Sequence, residues 1–383
     1  MDFSLLSIYT EKNHSIDLDI YDQIEKTFYL KQIHKGLYFK RKFFEVDKEK
    51  FSTLFPFSGI LDIQGQLINM EPEEVLFLDL ESIGITFNSS NFPFLIGFGY
   101  YAEQKFVLEQ YFLIDRSLET IYLEYIEKYL KKYKYVVSFN GKKFDIPLIK
   151  SRFYYHGKHW EENFHHFDVY VLWKRLLPNK FAGGYSQKNL ENKILNFYRE
   201  NDIEGSYIPQ IFFDWQKYQK YDEFSKIIQH NEWDVFNLFL LFIEALDFIK
   251  NKKNSLNTKI QIAKIFYRNK FYKETVKLLQ NYLPINEEEM FQKYSLLYKS
   301  YYKLHDFEQC VFYLKKLIEI KKNPKEILLL IRILQNKQKN LKEAIQYIDL
   351  LMDVLQYFPN QTKNPYLQIE ALKKRKNKIQ KEL

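Results

Sequence analysis

The sequence predicts an α/β domain followed by an all-α repeat domain. Three observations carry that prediction. A short apolar run ending in acids, Val75-Leu76-Phe77-Leu78-Asp79-Leu80-Glu81, reads as a buried strand whose C-terminal end carries function. Strand-like and helix-like segments then alternate to about Lys250. Beyond Asn254 only helical spacing is found, and it repeats.

Residues 1–73 read as an N-terminal extension of mixed patterning that ends in Glu71-Pro72-Glu73, with Leu37 to Phe44 as one strand or a strand pair. Residues 74–250 make the α/β domain. After its first strand, Phe94 to Tyr101 and Phe106 to Leu113 flank Ala102-Glu103-Gln104, a hairpin pattern. Leu118 to Lys132 carries Ile121, Tyr125, Ile126, Tyr129 and Leu130 at helical spacing. Tyr135 to Phe139 is another apolar strand, and a helix is expected from about Phe144 to Tyr155. Three strands, a helix, a strand and a helix predict a mixed sheet with helical cover. Ser186, after Gly183-Gly184, reads as the N-cap of a helix over Gln187 to Asn196. Ile227 to Lys250 reads as a long apolar helix packed on the sheet.

Residues 254–383 form the helical domain. Three stretches align: Phe271 to Thr275, Asp306 to Cys310 and Asn340 to Ala344. Their small residues Thr275, Cys310 and Ala344 lie 35 and 34 positions apart, and Leu279, Leu314 and Ile348 keep the same register. The period resembles that of tetratricopeptide repeats, in which a small residue lets paired helices approach closely. An ordinary helical bundle that repeats by chance is the competing reading.

Composition excludes several classes. A hydrophobic fraction of 46% rules out global disorder. The formal charge of +8 permits a polyanionic partner without demanding one. The 18% aromatic share, beside abundant Lys, Asn and Ile, reads as codon bias in an AT-rich genome rather than a stacking surface. Cys310 is the only cysteine, so there is no internal disulfide and no cysteine-based zinc site, which fits a reducing cytoplasm. No export signal and no membrane span are expected.

Four carboxylates carry the chemistry. Asp79 and Glu81 lie two apart on a strand, so both side chains share one face. Burying two like charges is expensive unless a cation compensates them, and carboxylates with water suit Mg²⁺ or Mn²⁺. Alone, the pair is equally well read as a strand ending at Asp79 with Glu81 solvated. In Asn140-Gly141-Lys142-Lys143-Phe144-Asp145, Asn140 leaves a strand at the sheet edge where Asp79 emerges, the usual place for a ligand. Asp145 then opens a helix, where dipole stabilisation alone accounts for an acid. In His230-Asn231-Glu232-Trp233-Asp234, His230 and Asp234 share a helical face, a pattern that also fits a local His–Asp pair.

Taken in order, these motifs resemble the DEDD exonuclease superfamily, and within it the YprB-type RNase H-like branch. The resemblance spans about Glu74 to Lys250. It includes Phe94-Leu95-Ile96-Gly97-Phe98-Gly99, Gln110-Tyr111-Phe112 and Asp202 to Pro209. That branch commonly carries a tetratricopeptide-like C-terminus. The resemblance implies that Asp79, Glu81, Asp145 and Asp234 are metal ligands holding two Mg²⁺ or Mn²⁺ ions. It also implies that His230, which stands where many superfamily members carry a Tyr, orients or deprotonates the attacking water; the commoner His subtype places its His one residue further away. Asn140 is expected to orient a ligand or touch substrate. Lys142, Lys143, Lys150 and Arg152 flank the second motif and offer phosphate contacts, although solvated helix charges explain at least half of them.

Other polar residues carry less. Asp168 precedes a helix and reads best as its cap. His156, His159, His165 and His166 cluster in sequence, but in no spacing typical of zinc. Gly97 and Gly99 read as close-packing positions on a strand.

The expected function is therefore a 3′–5′ exonuclease acting on single-stranded DNA or RNA and releasing nucleoside 5′-monophosphates. Its partner is nucleic acid, with a protein partner through the repeats, and no membrane. A structure-selective endonuclease using the same acids is the first alternative. A nucleic-acid-binding scaffold with little catalysis is the second.

Overall fold

The computed structural model describes residues 28–61, 67–84, 90–178, 181–250, 257–361 and 364–383. The chain divides into two compact units, Met1–Lys174 with Pro178–Lys250, and Arg175–Leu177 with Asn251–Leu383.

The first unit opens with β1 (Lys31–His34), β2 (Leu37–Glu45) and α1 (Lys48–Leu54), the helix capped by Asp47. β3 (Phe57–Leu61) and β4 (Leu67–Met70) form a separate two-stranded sheet. β5 (Val75–Ser82), β6 (Pro93–Ala102) and β7 (Lys105–Leu113) follow. Glu103 and Gln104 both adopt positive φ between β6 and β7. Such a turn matches the right-handed twist of a hairpin. Next come α2 (Glu119–Lys132), β8 (Tyr135–Ser138), α3 (Asp145–Tyr155), β9 (His165–Asp168) and α4 (Val169–Leu176). α5 (Gln187–Leu190) has the Ser186 cap expected of it, yet it passes into a π-turn over Glu191–Leu195. α6 (Ile208–Tyr218) and α7 (Tyr221–Lys250) complete the unit. α7 starts six residues before the expected Ile227.

The main sheet is mixed, in the order β1-β2-β7-β6-β5-β8-β9. β5, β8 and β9 run parallel and the other pairings are antiparallel. The stretch expected as a separate N-terminal extension thus supplies two strands of this sheet. Leu37 to Glu45 is one strand, and it pairs with β7 along its whole length. Of that stretch, residues 1–27 and 62–66 lie outside the described residues.

Each face of the sheet has its own cover. Phe98 stacks on Tyr129 of α2 at 4.2 Å between ring centroids. On the other face Phe77 meets Phe239 and Phe242 of α7 edge-on. α7 approaches closely because β6 presents glycine there. A Cβ at Gly97 would lie 2.5 Å from Asn231 Oδ1 and 2.6 Å from Val235 Cγ2, and one at Gly99 would strike Phe106 and Val235. Both glycines are close-packing positions, as read from sequence.

The second unit is helical throughout its described residues. It contains α8 (Asn257–Arg268), α9 (Tyr272–Gln280), α10 (Glu287–Lys303), α11 (Phe307–Ile320), α12 (Pro324–Ile333), α13 (Leu341–Tyr357) and α14 (Pro365–Glu382). Thr275, Cys310, Ala344, Leu279, Leu314 and Ile348 are all fully buried. The repeat also shows in the backbone. Lys270, His305 and Lys339 each adopt positive φ just before the second helix of a pair. In the first two units the residue after this turn donates its amide five residues back, Phe271 to Phe266 and Asp306 to Tyr301. In the third a π-turn over Leu334–Gln338 makes it six, Asn340 to Leu334.

Candidate active site

The site begins where β5 outruns its neighbour. β8 pairs only with Val75 to Phe77 and then ends at Ser138. Asp79 and Glu81 continue beyond it, on the face that Phe77 turns toward α7. Each strand residue reverses face, so Phe77, Asp79 and Glu81 fall in one row.

Asp79 is held from α7. Asn231 Nδ2 donates to Asp79 Oδ2 at 2.9 Å and to its carbonyl at 3.3 Å. Asn231 is in turn fixed by Gln110 of β7, whose Nε2 donates to Asn231 Oδ1 and to the Ile228 carbonyl, both at 2.9 Å. Asp79, Gly97 and Gln110 are opposite one another across three strands. The glycine therefore leaves the gap through which Asn231 reaches both neighbours.

The chain leaving β8 turns at once. Asn140 has φ 57°, a left-handed conformation that Asn tolerates better than most residues. Asp168, at the end of β9, pins this turn. It accepts the amides of Asn140 at 2.9 Å and Lys142 at 3.4 Å, as well as that of Val171 in α4 at 3.3 Å. It is thus both the expected helix cap and a tether for the second motif. Asp145, at the first residue of α3, is 6% exposed. A Cβ at Gly141 would lie 2.7 Å from Asp145 Oδ2, so only glycine leaves the carboxylate its place.

The third motif is embedded in an ion network. His230 Nδ1 lies 2.7 Å from Asp202 Oδ1, and its Nε2 lies 3.0 Å from Asp234 Oδ2. Arg199, with a side chain 2% exposed, reaches Asp234 Oδ1 and Glu191 Oε1 through Nη2, both at 2.5 Å. It also reaches Asp202 at 3.4 Å. Gln187 donates to the Asp234 carbonyl at 2.8 Å. Sequence reading missed Arg199, Glu191 and Gln187, and met Asp202 only as part of a resembling stretch. The one signal was an arginine among acids in an otherwise irregular segment.

Electrostatics separates the acids into two groups. Burial drives Asp79 well above the usual carboxylate range, and Asp234, Glu81 and Asp145 add to the shift. Burial raises Glu81 to about 8 against the opposing pull of His230, with Asp234 and Asp145 adding. Asp145 is pushed up to about 7 by burial and by Asp168 and Asp234, although its own amide and that of Leu80 favour the anion. Asp234 behaves oppositely. Burial is outweighed by His230 and Arg199, which hold it below its ordinary value. Burial likewise fails to keep His230 neutral, because the bonds to Asp202 and Asp234 raise it to about 11.

The protein supplies cations for Asp234 but leaves Asp79, Glu81 and Asp145 short of positive charge. Three crowded carboxylates with raised pKa values suit a hard divalent cation. Glu81, His230 and Asp234 also offer donor atoms within 4.8 Å of one another, the one such group among the described residues. The donor chemistry therefore fits a metal.

Asp79, Asp145, His230, Asp234 and Asn140 line one cleft of about 720 Å³ with Arg199, Asp202 and several aromatic rings. Lys142 and Lys143 are exposed on the turn beside it. Arg152 is corrected: it is 1% exposed and paired with Glu119 at 2.5 Å, so it offers nothing to phosphate. The four sequence-clustered histidines do not converge. His156 binds Glu119 at 3.0 Å, His159 lies 3.5 Å from Glu161, His165 stacks on Tyr135, and His166 meets Ser138 Oγ at 2.7 Å.

Residues 76–246 match a family model described as RNase_H superfamily, and this stretch is an RNase H-like domain. No curated protein matches. Among solved structures, one match is the family B DNA polymerase from the hyperthermophilic archaeon Pyrobaculum calidifontis. It is 12% identical with a TM-score of 0.36, over 75% of this chain and 36% of the polymerase chain. The chain spans about a third of that polymerase's length. No helix among the described residues is long and apolar enough to cross a membrane.

Proposed function

We propose that the RNase H-like domain is a metal-dependent 3′–5′ exonuclease of the YprB type. It hydrolyses phosphodiester bonds of single-stranded DNA or RNA and releases nucleoside 5′-monophosphates. The observation that carries this reading is the set of undercompensated carboxylates, Asp79, Glu81 and Asp145, gathered with Asp234 at the edge of the RNase H-like sheet.

Asp79, Glu81, Asp145 and Asp234 would hold two Mg²⁺ or Mn²⁺ ions. When bound, such ions supply Lewis acidity toward water and neutralise charge on the leaving oxygen. The rest falls to the chain's own groups. Asn231 fixes the rotamer of Asp79, and the Leu80 amide favours the Asp145 anion. Arg199 and His230 grip the two oxygens of Asp234. Asp202 and Asp234 take up both ring nitrogens of His230, so we assign it to holding the Asp234 carboxylate in place rather than to deprotonating the attacking water. Asn140 faces the substrate path, and Lys142 and Lys143 meet backbone phosphates from the exposed turn. The helical unit is proposed to be tetratricopeptide-like and to bind a protein, supported by the recurring left-handed turn and buried small residue.

The test uses single-stranded, 3′-overhang and circular substrates, as DNA and as RNA, with Mg²⁺ or Mn²⁺. Wild type runs beside Asp79→Asn. A ladder shortening from the 3′ end, absent with EDTA and in the variant, is the expected result. Cleavage of the circle would establish an endonuclease instead. Absence of any cleavage that depends on Asp79 would remove the nuclease reading.

A further inference from the structure

We propose that the groove between the start of α12 and the middle of α14 docks an acidic peptide segment that also carries aliphatic side chains. The inference rests on the protein-binding reading of the helical unit and is independent of the nuclease reading. The groove measures about 1030 Å³. Its apolar part is aliphatic: Pro324 and Leu328 of α12, Leu351 of α13, and Leu372 of α14. Pro324, Leu351 and Leu372 are buried and Leu328 is half-buried, so they form a floor rather than a rim.

Charge around this floor has one sign. Lys321, Lys322, Lys325 and Arg375 line the groove, and no Asp or Glu does. The three lysines are exposed, and none pairs with a carboxylate among the described residues. Arg375 is half-buried, and its Nε and Nη2 both donate to the neutral Gln335 Oε1, at 2.8 and 2.5 Å. Burial and the neighbouring Arg332 hold its guanidinium below the ordinary value. Acids on the same helices are engaged elsewhere, Asp349 with Lys376 at 2.6 Å and Glu370 with Lys373 at 3.0 Å. Arg375 is thus a partly buried charge short of an anion, the reverse of the carboxylates in the cleft of the first unit.

Two features favour a peptide over a nucleic acid. No aromatic ring lines the groove, so bases find nothing to stack on. The aliphatic floor instead accepts aliphatic side chains, as the apolar centre of a protein interface does. Gln335 leaves Nη1 of Arg375 untouched, and a guanidinium fork suits a carboxylate. The exposed lysines then add steering and selection against basic partners rather than much affinity.

The experiment is fluorescence anisotropy of the full chain in EDTA with labelled probes. The first probe is the peptide Leu-Asp-Asp-Leu-Leu-Asp-Asp-Leu. The others replace its Asp by Asn or its Leu by Ser, and the last is oligo(dT). The first peptide is expected to bind at least about tenfold more tightly than either replacement, less so as salt rises. Arg375→Met should weaken it about tenfold, and Lys322→Gln combined with Lys325→Gln about threefold. The two lysines are exposed, so that variant keeps its fold, and circular dichroism checks Arg375→Met. Failure of the first peptide to bind, or unchanged affinity in both variants, overturns the docking site. Equal binding of the Asn peptide overturns the acidic partner and leaves the protein-binding reading standing. Binding of oligo(dT) alone, lost in the same variants, overturns that reading as well and makes the groove a nucleic-acid site.

Discussion

Arg199 Nη2 lies 2.5 Å from Asp234 Oδ1, and the same nitrogen lies 2.5 Å from Glu191 Oε1. A buried guanidinium thus joins a proposed metal ligand to a fully buried acid with no other role in the cleft. Removing one member of such a pair costs more than the pair contributes, because a buried charge is stranded. Arg199→Leu is expected to lose about 3–5 kcal/mol of stability, measured by urea denaturation. Arg199→Met combined with Glu191→Leu should recover most of that loss. A single variant within about 0.5 kcal/mol of wild type would show that the network is not stabilising the domain.

Metal and protons should compete at the carboxylates. Asp79, Glu81 and Asp145 titrate above their ordinary values, so the folded chain binds protons more tightly than the unfolded one. Their contribution to stability therefore falls as pH rises from about 4 to about 8. A divalent ion would restore it, by about 2.7 kcal/mol at a hundredfold excess over its Kd. Thermal melts in EDTA and in Mn²⁺ should differ more at about pH 8 than at about pH 6. A gap independent of pH would argue against these acids as ligands.

The proton on His230 can be observed directly. Its folded pKa, about 11, lies above the ordinary value of 6.5. The stability it contributes is fully present below about 6.5 and is lost as pH rises through about 11. Nitrogen NMR of the EDTA-treated protein at about pH 8 should show both ring nitrogens protonated. Asp202→Asn and Asp234→Asn should each lower the midpoint. A neutral tautomer at that pH would return the imidazole to the role of base.

Gly97 tests how the helix reaches the site. Gly97→Ala places a methyl 2.5 Å from Asn231 Oδ1, and α7 or Asn231 must retreat. The overpacking cost is expected to be about 1–3 kcal/mol by denaturation. Activity should fall further than stability alone explains, because Asp79 loses its donor. Full activity in a folded variant would free Asp79 from dependence on Asn231.

Local pattern carried much of this architecture. The apolar run before Asp79, the β6–β7 hairpin and the Ser186 cap all follow from neighbours within a few residues, and all three appear in the fold. The shared face of Asp79 and Glu81 follows from the two-residue period of a strand. What escaped depends on distance. β2 was visible as a strand, but its pairing with β7 joins residues sixty or more positions apart, and no local period records that. Arg199 lies in irregular chain after the π-turn that holds Glu191, and no shared face joins the two until the chain closes back under α7. Arg152 looked like a surface cation because its partner Glu119 belongs to another helix.

The row formed by Asp79, Gly97 and Gln110 also limits how this chain can diverge. An inserted residue in the Glu103-Gln104 turn that slid β6 past β5 by one position would set Ile96 or Phe98 under Asn231 in place of the glycine. Length changes at that hairpin should survive over generations only when they bulge outward and leave the pairing alone. Loops whose strands carry no part of the row are free to drift, so the hairpin tip should be among the least variable in length of the exposed turns in this lineage.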